Sequence, residues 1–195
     1  MDDRVLPRTG AQLPDNFIGP NAPGNKKEHP GTDDIGTITD SSGLVRSFVC
    51  CIKFETTRAP QFIDITKRVQ QYISKSNISN GLVVIYSKHT TAAIKINENE
   101  PLLIEDMERF LERMSPRNDI YKHNDFTVRT VNMNEDECPN GHSHCQHLLL
   151  GASETVPIMD GVMIFGQWQS IFLIELDHPR EREVIIQVMG VPFGA

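Results

Sequence analysis

The sequence predicts an α+β domain of about seven strands and two to three helices, and three observations predict it. Short β-branched or alternating apolar runs recur at 45–56, 62–66, 83–86 and 92–97, and again across most of 156–191. Between these runs lie stretches with apolar residues at spacings of three and four, preceded by capping residues. No strand–helix–strand repeat runs through the chain, which points away from a TIM barrel or a doubly wound sheet.

Residues 1–43 carry five prolines and six glycines without sustained periodicity. Such a stretch has too little apolar surface to offset the entropy of ordering, so it reads as a flexible N-terminal extension, with Leu13, Phe17 and Ile18 the residues able to drape over a domain. The domain is expected over 44–195. Val45 to Thr56 reads as the first strand, and Phe62 to Thr66 follows the interruption at Ala59 and Pro60. Asp64 or Thr66 can cap a helix to about Ser76, whose Val69, Tyr72, Ile73 and Ser76 share a face.

Val83 to Tyr86 and Ala92 to Asn97 then bracket His89, Thr90 and Thr91, which places the histidine at a strand end, where loops often carry function. Asn99 or Glu100 caps the next helix, Pro101 takes its first turn, and Leu103, Met107, Phe110, Leu111 and Met114 form its apolar stripe, with Asp106 at the border of that stripe. Glu98, Asp106, His123 and His144 are the groups that can converge on His89, a set suited to metal or acid/base chemistry.

A polar connector over 118–140 holds YKHND, with His123 among turn residues, and a strand over Phe126 to Met133. In NGHSHCQHLLLG, Ser143 is a helix cap, His144 falls in the first turn, Leu148 packs one turn on, and Gly151 closes the helix; His142 and His147 face solvent. The helix dipole disfavours a protonated imidazole at His144, and the free N–H groups beside it suit a phosphate. In the last third, Glu175 alternates with Ile171 and Leu173, so its carboxylate needs a cation, and Arg180 and Arg182 follow as ion-pair partners or substrate ligands.

Composition narrows the function classes. A net charge of -7 and a pI near 5.5 argue against a general binder of nucleic-acid backbones and leave a small molecule as the partner. No apolar run reaches the roughly 18 residues of a membrane helix, and the acidic, proline-spotted start is unlike a signal peptide, which points to the cytoplasm. The four cysteines read as reduced thiols, Cys50 and Cys51 structural. A zinc knuckle from Cys138, His142, His144, Cys145 and His147 is a rival reading, although the spacing matches no common finger.

KHTTAAIKINENE, DMERFLERM, YKHND, GHSH with LLLG, VPIMDG, GQWQSI and PRER, in this order over about Ser47 to Gly190, together resemble the YjbQ-like family, also called the secondary thiamine-phosphate synthase family. The resemblance implies a β-sandwich assembled as a homotrimer with sites near subunit boundaries. It places His89, Glu98, Asp106, His123, His144, Trp168, Gln169 and Glu175 at signature positions. The long segment before residue 44 departs from the pattern, as do Cys145 and His147.

The family's name implies that a pyrimidine methyl diphosphate is joined to a thiazole phosphate with release of pyrophosphate. That chemistry calls for a divalent cation, basic groups for the diphosphate and an aromatic face for a cationic pyrimidine. On this reading His89, Glu98, Asp106 and Glu175 are catalytic, with Glu98 a general acid/base or a metal-orienting carboxylate. Thr90, Thr91, Asn97, Ser143, Trp168, Gln169, Arg180 and Arg182 contact substrate, and His89, His123 and His144 hold the metal. Three imidazoles suit zinc, manganese or iron better than magnesium. That preference leaves the synthase activity secondary to another phosphate-ester reaction, a metal-dependent hydrolysis, or a nonenzymatic trimeric binding module as alternatives.

Overall fold

The computed structural model describes residues 37–41 and 45–195, the first of these segments by its backbone alone. Leu13, Phe17 and Ile18 lie outside the described residues. Two antiparallel sheets make up the domain. The larger has six strands in the order β1 (Thr37–Ser41), β2 (Val45–Glu55), β9 (Glu181–Pro192), β4 (Ile78–Ser87), β6 (Ser153–Met159) and β7 (Val162–Met163); the smaller has β3 (Gln61–Asp64), β8 (Gln169–Glu175) and β5 (Ala92–Glu98). Strand β1, upstream of the expected boundary at 44, pairs with β2 from Thr37 opposite Val49 to Ser41 opposite Val45. The β-branched run Thr37, Ile38, Thr39 was masked by the prolines and glycines around it.

The sheets face each other across one apolar layer. Phe48, Cys50 and Ile52 of β2, Val83 and Ile85 of β4, and Val184, Ile186 and Val188 of β9 meet Ile94 of β5 and Ile171 and Leu173 of β8. Each is the inward member of a period-two alternation. Helix α1 (Thr66–Ser76) inserts Val69, Tyr72 and Ile73 into the same core, the face its spacing predicts. Gly81 and Gly190 stand opposite each other where β4 and β9 cross most closely. A Cβ on Gly81 would lie 2.0 Å from the Met189 carbonyl oxygen, so only glycine allows that approach.

The outer face of the small sheet is covered by α2 (Pro101–Met114) and α3 (Gly141–Leu150). Phe62, Ala93, Phe172, Ile174 and Leu176 pack there with Leu111, Ile104, Met107 and Leu150. Glu100 caps α2 through the backbone N–H groups of Leu102 and Leu103. Much of the apolar stripe expected to be buried on this helix is not: Leu111 is buried, whereas Phe110 and Met114 are exposed. The expected strand from Phe126 to Met133 is a series of turns. The Asp125 carboxylate takes the Thr127 N–H and hydroxyl, and Arg129 bridges Glu137 at 3.0 Å and the His123 carbonyl, so local side-chain bonds replace a ladder.

Candidate functional site

The β5–β8 ladder separates two groups of the expected site residues. Ala92 pairs with Glu175 at one end and Glu98 with Gln169 at the other. Six residue steps at about 3.3 Å each separate those ends by roughly 20 Å. The sequence reading expected Glu98 beside His89; the register puts them apart.

At the Glu175 end, burial is complete. Glu175 is fully buried and Arg182 is 2% exposed. Arg182 donates through Nη2 to Glu175 Oε1 at 2.5 Å and through Nε to Oε2 at 2.6 Å. Oε1 also accepts the N–H groups of Leu176 and Asp177, and the Thr56 hydroxyl lies 3.0 Å from Oε2. Arg182 Nη2 also reaches the Thr91 hydroxyl at 3.0 Å. This bidentate pair leaves both Glu175 oxygens engaged, so Glu175, Arg182 and Thr91 brace this end of the ladder. His89 stands beside this pair. Its Nε2 accepts the Glu183 N–H at 2.8 Å, and burial and the Arg182 charge hold its pKa below the ordinary value. A neutral ring accepting at Nε2 carries its proton on Nδ1.

The chain beyond β8 turns to a second polar cluster. Asp177, buried, accepts Arg180 Nη2 at 2.6 Å, has His178 Nδ1 at 3.1 Å, and lies 3.4 Å from Asn140 Nδ2. Burial pushes its carboxyl up, but the hydrogen bonds from His178 and Arg180 outweigh that and leave it below the usual carboxylate range. Cys138 Sγ lies 3.5 Å from His178 Nδ1, and burial raises its thiol pKa.

Helix α3 starts beside Asp177. Its N-cap is Asn140, not Ser143; Ser143 is fully buried in the first turn and donates to the Asn140 carbonyl at 2.6 Å, while Asn124 takes the Gly141 N–H at 2.8 Å. Ser143 therefore fixes the helix start. His144 meets His123 edge to face, ring centroids 4.7 Å apart, and its pKa is lowered by burial and then by His123. His142, expected in solvent, is 1% exposed, and Leu148, expected to pack, is exposed. The helix is rotated relative to that reading because its buried face is polar, His142, Ser143 and Gln146, and so left no apolar signal.

Several buried polar atoms here have no protein partner: His123 Nε2, Asn140 Oδ1 and Arg180 Nε. Buried polar atoms are normally satisfied, so this cluster is shaped for something further. Of the three expected metal ligands, His123 and His144 come together and His89 does not join them. Among the described residues, the group of three ligand atoms lying within 4.8 Å of one another is Cys138, Asp177 and His178. The rival knuckle is not assembled either, since Cys145 is exposed and outside that group.

At the far end of the ladder, Glu98 is half-buried opposite Gln169, whose Oε1 accepts the Gly166 N–H at 2.8 Å. Trp168 beside it is 64% exposed. Asn97 turns to Met107 Sδ at 3.1 Å, and Thr90 is exposed in the His89 loop. Asp106 is exposed on α2, ion-paired with Arg109, and lines an open groove with Arg109, Glu112 and Arg113. It does not approach the histidines' cluster by any bond in the structure. The sequence reading missed Asp177, Asn140, Thr56 and His178. Asp177 was readable in principle: it follows a buried strand and precedes His-Pro-Arg, a carboxylate with an imidazole and a guanidinium one and three residues on.

Comparison with known proteins adds one decisive match, to the model for the UPF0047 protein YjbQ-like family, over residues 51–191. This chain belongs to that family. A UPF0047 protein of Methanothermobacter thermautotrophicus is 41% identical over 141 residues, 72% of this chain and 91% of the relative. The Bacillus subtilis UPF0047 protein YugU is 33% identical over 141 residues, 71% of this chain and 97% of the relative. A YbjQ-like protein of unknown function from Sulfolobus solfataricus P2 superimposes with a TM-score of 0.67 at 34% identity, covering 75% of this chain and 99% of the other. The YjbQ-like α+β fold is thus common to solved structures.

Proposed function

We propose that the chain is a phosphate-ester enzyme of the secondary thiamine-phosphate synthase type, a transferase acting at sites formed where the subunits of a homotrimer meet. The observation that carries this reading is the division of the site residues between two ends of one ladder, six residue steps apart. One end is basic and rich in imidazoles, with Arg180, His123, His144 and unpaired buried polar atoms. The other presents an exposed indole, Trp168, beside the carboxylate of Glu98. Neither end alone serves a two-substrate reaction; the first end of one subunit against the second end of its neighbour does. Outward-facing Leu82, Tyr86, Met189 and Val191 on the large sheet form an apolar surface of the kind that assembly covers.

In the proposed reaction the bond from the pyrimidine methylene carbon to the diphosphate oxygen breaks, and its electron pair leaves with pyrophosphate. The thiazole nitrogen then supplies the pair for the new carbon–nitrogen bond. Arg180 neutralises the leaving group, and Trp168 stacks on the pyrimidine as positive charge develops. The thiazole nitrogen has no proton to lose, so Glu98 acts by its charge beside that cation. The three-imidazole ion does not fit one chain, because His89 Nε2 is already engaged by Glu183. No step above passes through it.

The test is to incubate the full chain with both substrates and quantify thiamine phosphate and pyrophosphate. The reading expects both products in equal amount, with Trp168→Ala and Arg180→Ala each reducing turnover by about 100-fold or more. Absence of thiamine phosphate at high concentrations of both substrates overturns it.

A further inference from the structure

We infer that Cys138, Asp177 and His178 form a binding site for a thiophilic divalent ion, zinc by class, in which the ion takes the place now held by the Arg180 guanidinium. The site goes beyond the transferase reading and stands without it. Three ligand types favoured by zinc lie with their donor atoms within 4.8 Å of one another: a sulfur, an imidazole nitrogen and a carboxylate oxygen.

One of the separations matches a tetrahedral ion, and a second falls a few tenths of an ångström short of it. Zinc bound at about 2.3 Å to sulfur and 2.0–2.1 Å to nitrogen and oxygen puts neighbouring ligand atoms roughly 3.4–3.6 Å apart. Cys138 Sγ to His178 Nδ1 is 3.5 Å, and His178 Nδ1 to Asp177 Oδ2 is 3.1 Å. The orphaned Asn140 Oδ1 is an acceptor for a water on the fourth, open position, since its own Nδ2 already lies 3.4 Å from Asp177 Oδ2.

Arg180 is the competitor. Its Nη2 lies 2.6 Å from Asp177 Oδ2 and 2.5 Å from His178 Nδ1, against the same atoms that the ion needs. A buried carboxylate requires a cation in either state, so ion and guanidinium exchange without leaving Asp177 unpaired. The Arg180 side chain is 37% exposed, so it can swing outward once an ion takes over its contacts to Asp177 and His178. Binding converts the Cys138 thiol to a metal thiolate and releases its proton; His178 binds through Nδ1 and keeps its proton on Nε2.

The experiment titrates the metal-free, reduced full chain with Co2+ and then with competing Zn2+, reading absorbance, bound metal and released protons without any substrate. Expected are one ion per chain, a sulfur-to-cobalt charge-transfer band that zinc abolishes, and release of about one proton per ion. Cys138→Ser loses the band and weakens binding at least tenfold, Cys145→Ser leaves both unchanged, and Arg180→Gln tightens binding by removing the competing cation. Circular dichroism establishes that each variant is folded. Cobalt binding without the band, binding insensitive to both Cys138→Ser and His178→Ala, or no bound ion at micromolar concentrations would overturn the site. Turnover plays no part in the readout, so failure of the transferase reading and failure of the metal site are separately visible.

Discussion

Replacing Glu175 by glutamine tests whether the buried Glu175–Arg182 pair is scaffold or chemistry. The change keeps the volume and removes the charge. Both oxygens are held by donors: Arg182 Nη2 with the Leu176 and Asp177 N–H groups at Oε1, and Arg182 Nε with the Thr56 hydroxyl at Oε2. Whichever way the amide is turned, its NH2 faces donors, and Arg182 at 2% exposure keeps a positive charge with no counter-ion. Breaking a buried pair from one side costs about 3–5 kcal/mol. With a urea m-value of about 2 kcal/mol/M, the unfolding midpoint should fall by roughly 2 M at fixed protein concentration. Circular dichroism and tryptophan fluorescence of the wild type and variant in parallel supply the measurement. The double variant Glu175→Leu with Arg182→Met, apolar on both sides, should recover most of the loss. A midpoint shift below about 0.5 M, with turnover lost instead, would refute the scaffold assignment and return Glu175 to the chemistry.

Three further outcomes are expected. Burial lowers the pKa of His89, His142, His144 and His147, so the unfolded chain takes up protons first; their stabilisation is complete above about pH 6.5 and is lost as pH falls through the lowered folded values. Asp177, also lowered, adds the same sign at more acidic pH, so thermal midpoints should decline steadily from pH 7.5 towards 4, and a midpoint that stays flat or rises contradicts the burial. Asn124→Ala removes the acceptor of the Gly141 N–H at the start of α3 and should destabilise by about 1–2 kcal/mol in urea melts; no change would mean the contact is dispensable. Light scattering at micromolar concentration should give three times the chain mass, and a monomer would remove the shared-site arrangement.

The strands were legible because period-two alternation survives wherever one face is buried, as in Val83 and Ile85 against Leu82 and Tyr86. Helix α1 was legible for the same reason at a period of 3.6, and Glu100 announced α2 by its place before Pro101. Helix α3 was misread at its start and on its buried face because polar side chains fill that face, and hydrophobic patterning is silent about hydrogen bonds such as those of Gln146 Nε2 to the Leu111 and Ser115 carbonyls. The site residues themselves were named from motif order. Their grouping depended on register, which sequence spacing does not carry: Glu98 and His89 are nine positions apart, yet β5 carries them to opposite ends of a ladder. The Cys138, Asp177 and His178 cluster joins segments from either side of α3 and was visible only once β8 had placed Asp177.

The central claim is that one subunit's Arg180 end works with its neighbour's Trp168 end, and complementation measures it directly. Arg180→Ala and Trp168→Ala chains, each inactive alone, are unfolded together at equal concentrations, refolded and assayed for thiamine phosphate. A shared site needs an intact basic half from one chain and an intact aromatic half from the next, each present with probability one half, so the mixed trimers should regain roughly a quarter of wild-type turnover. If both halves serve the same chain's site, mixing restores nothing, and the account is contradicted.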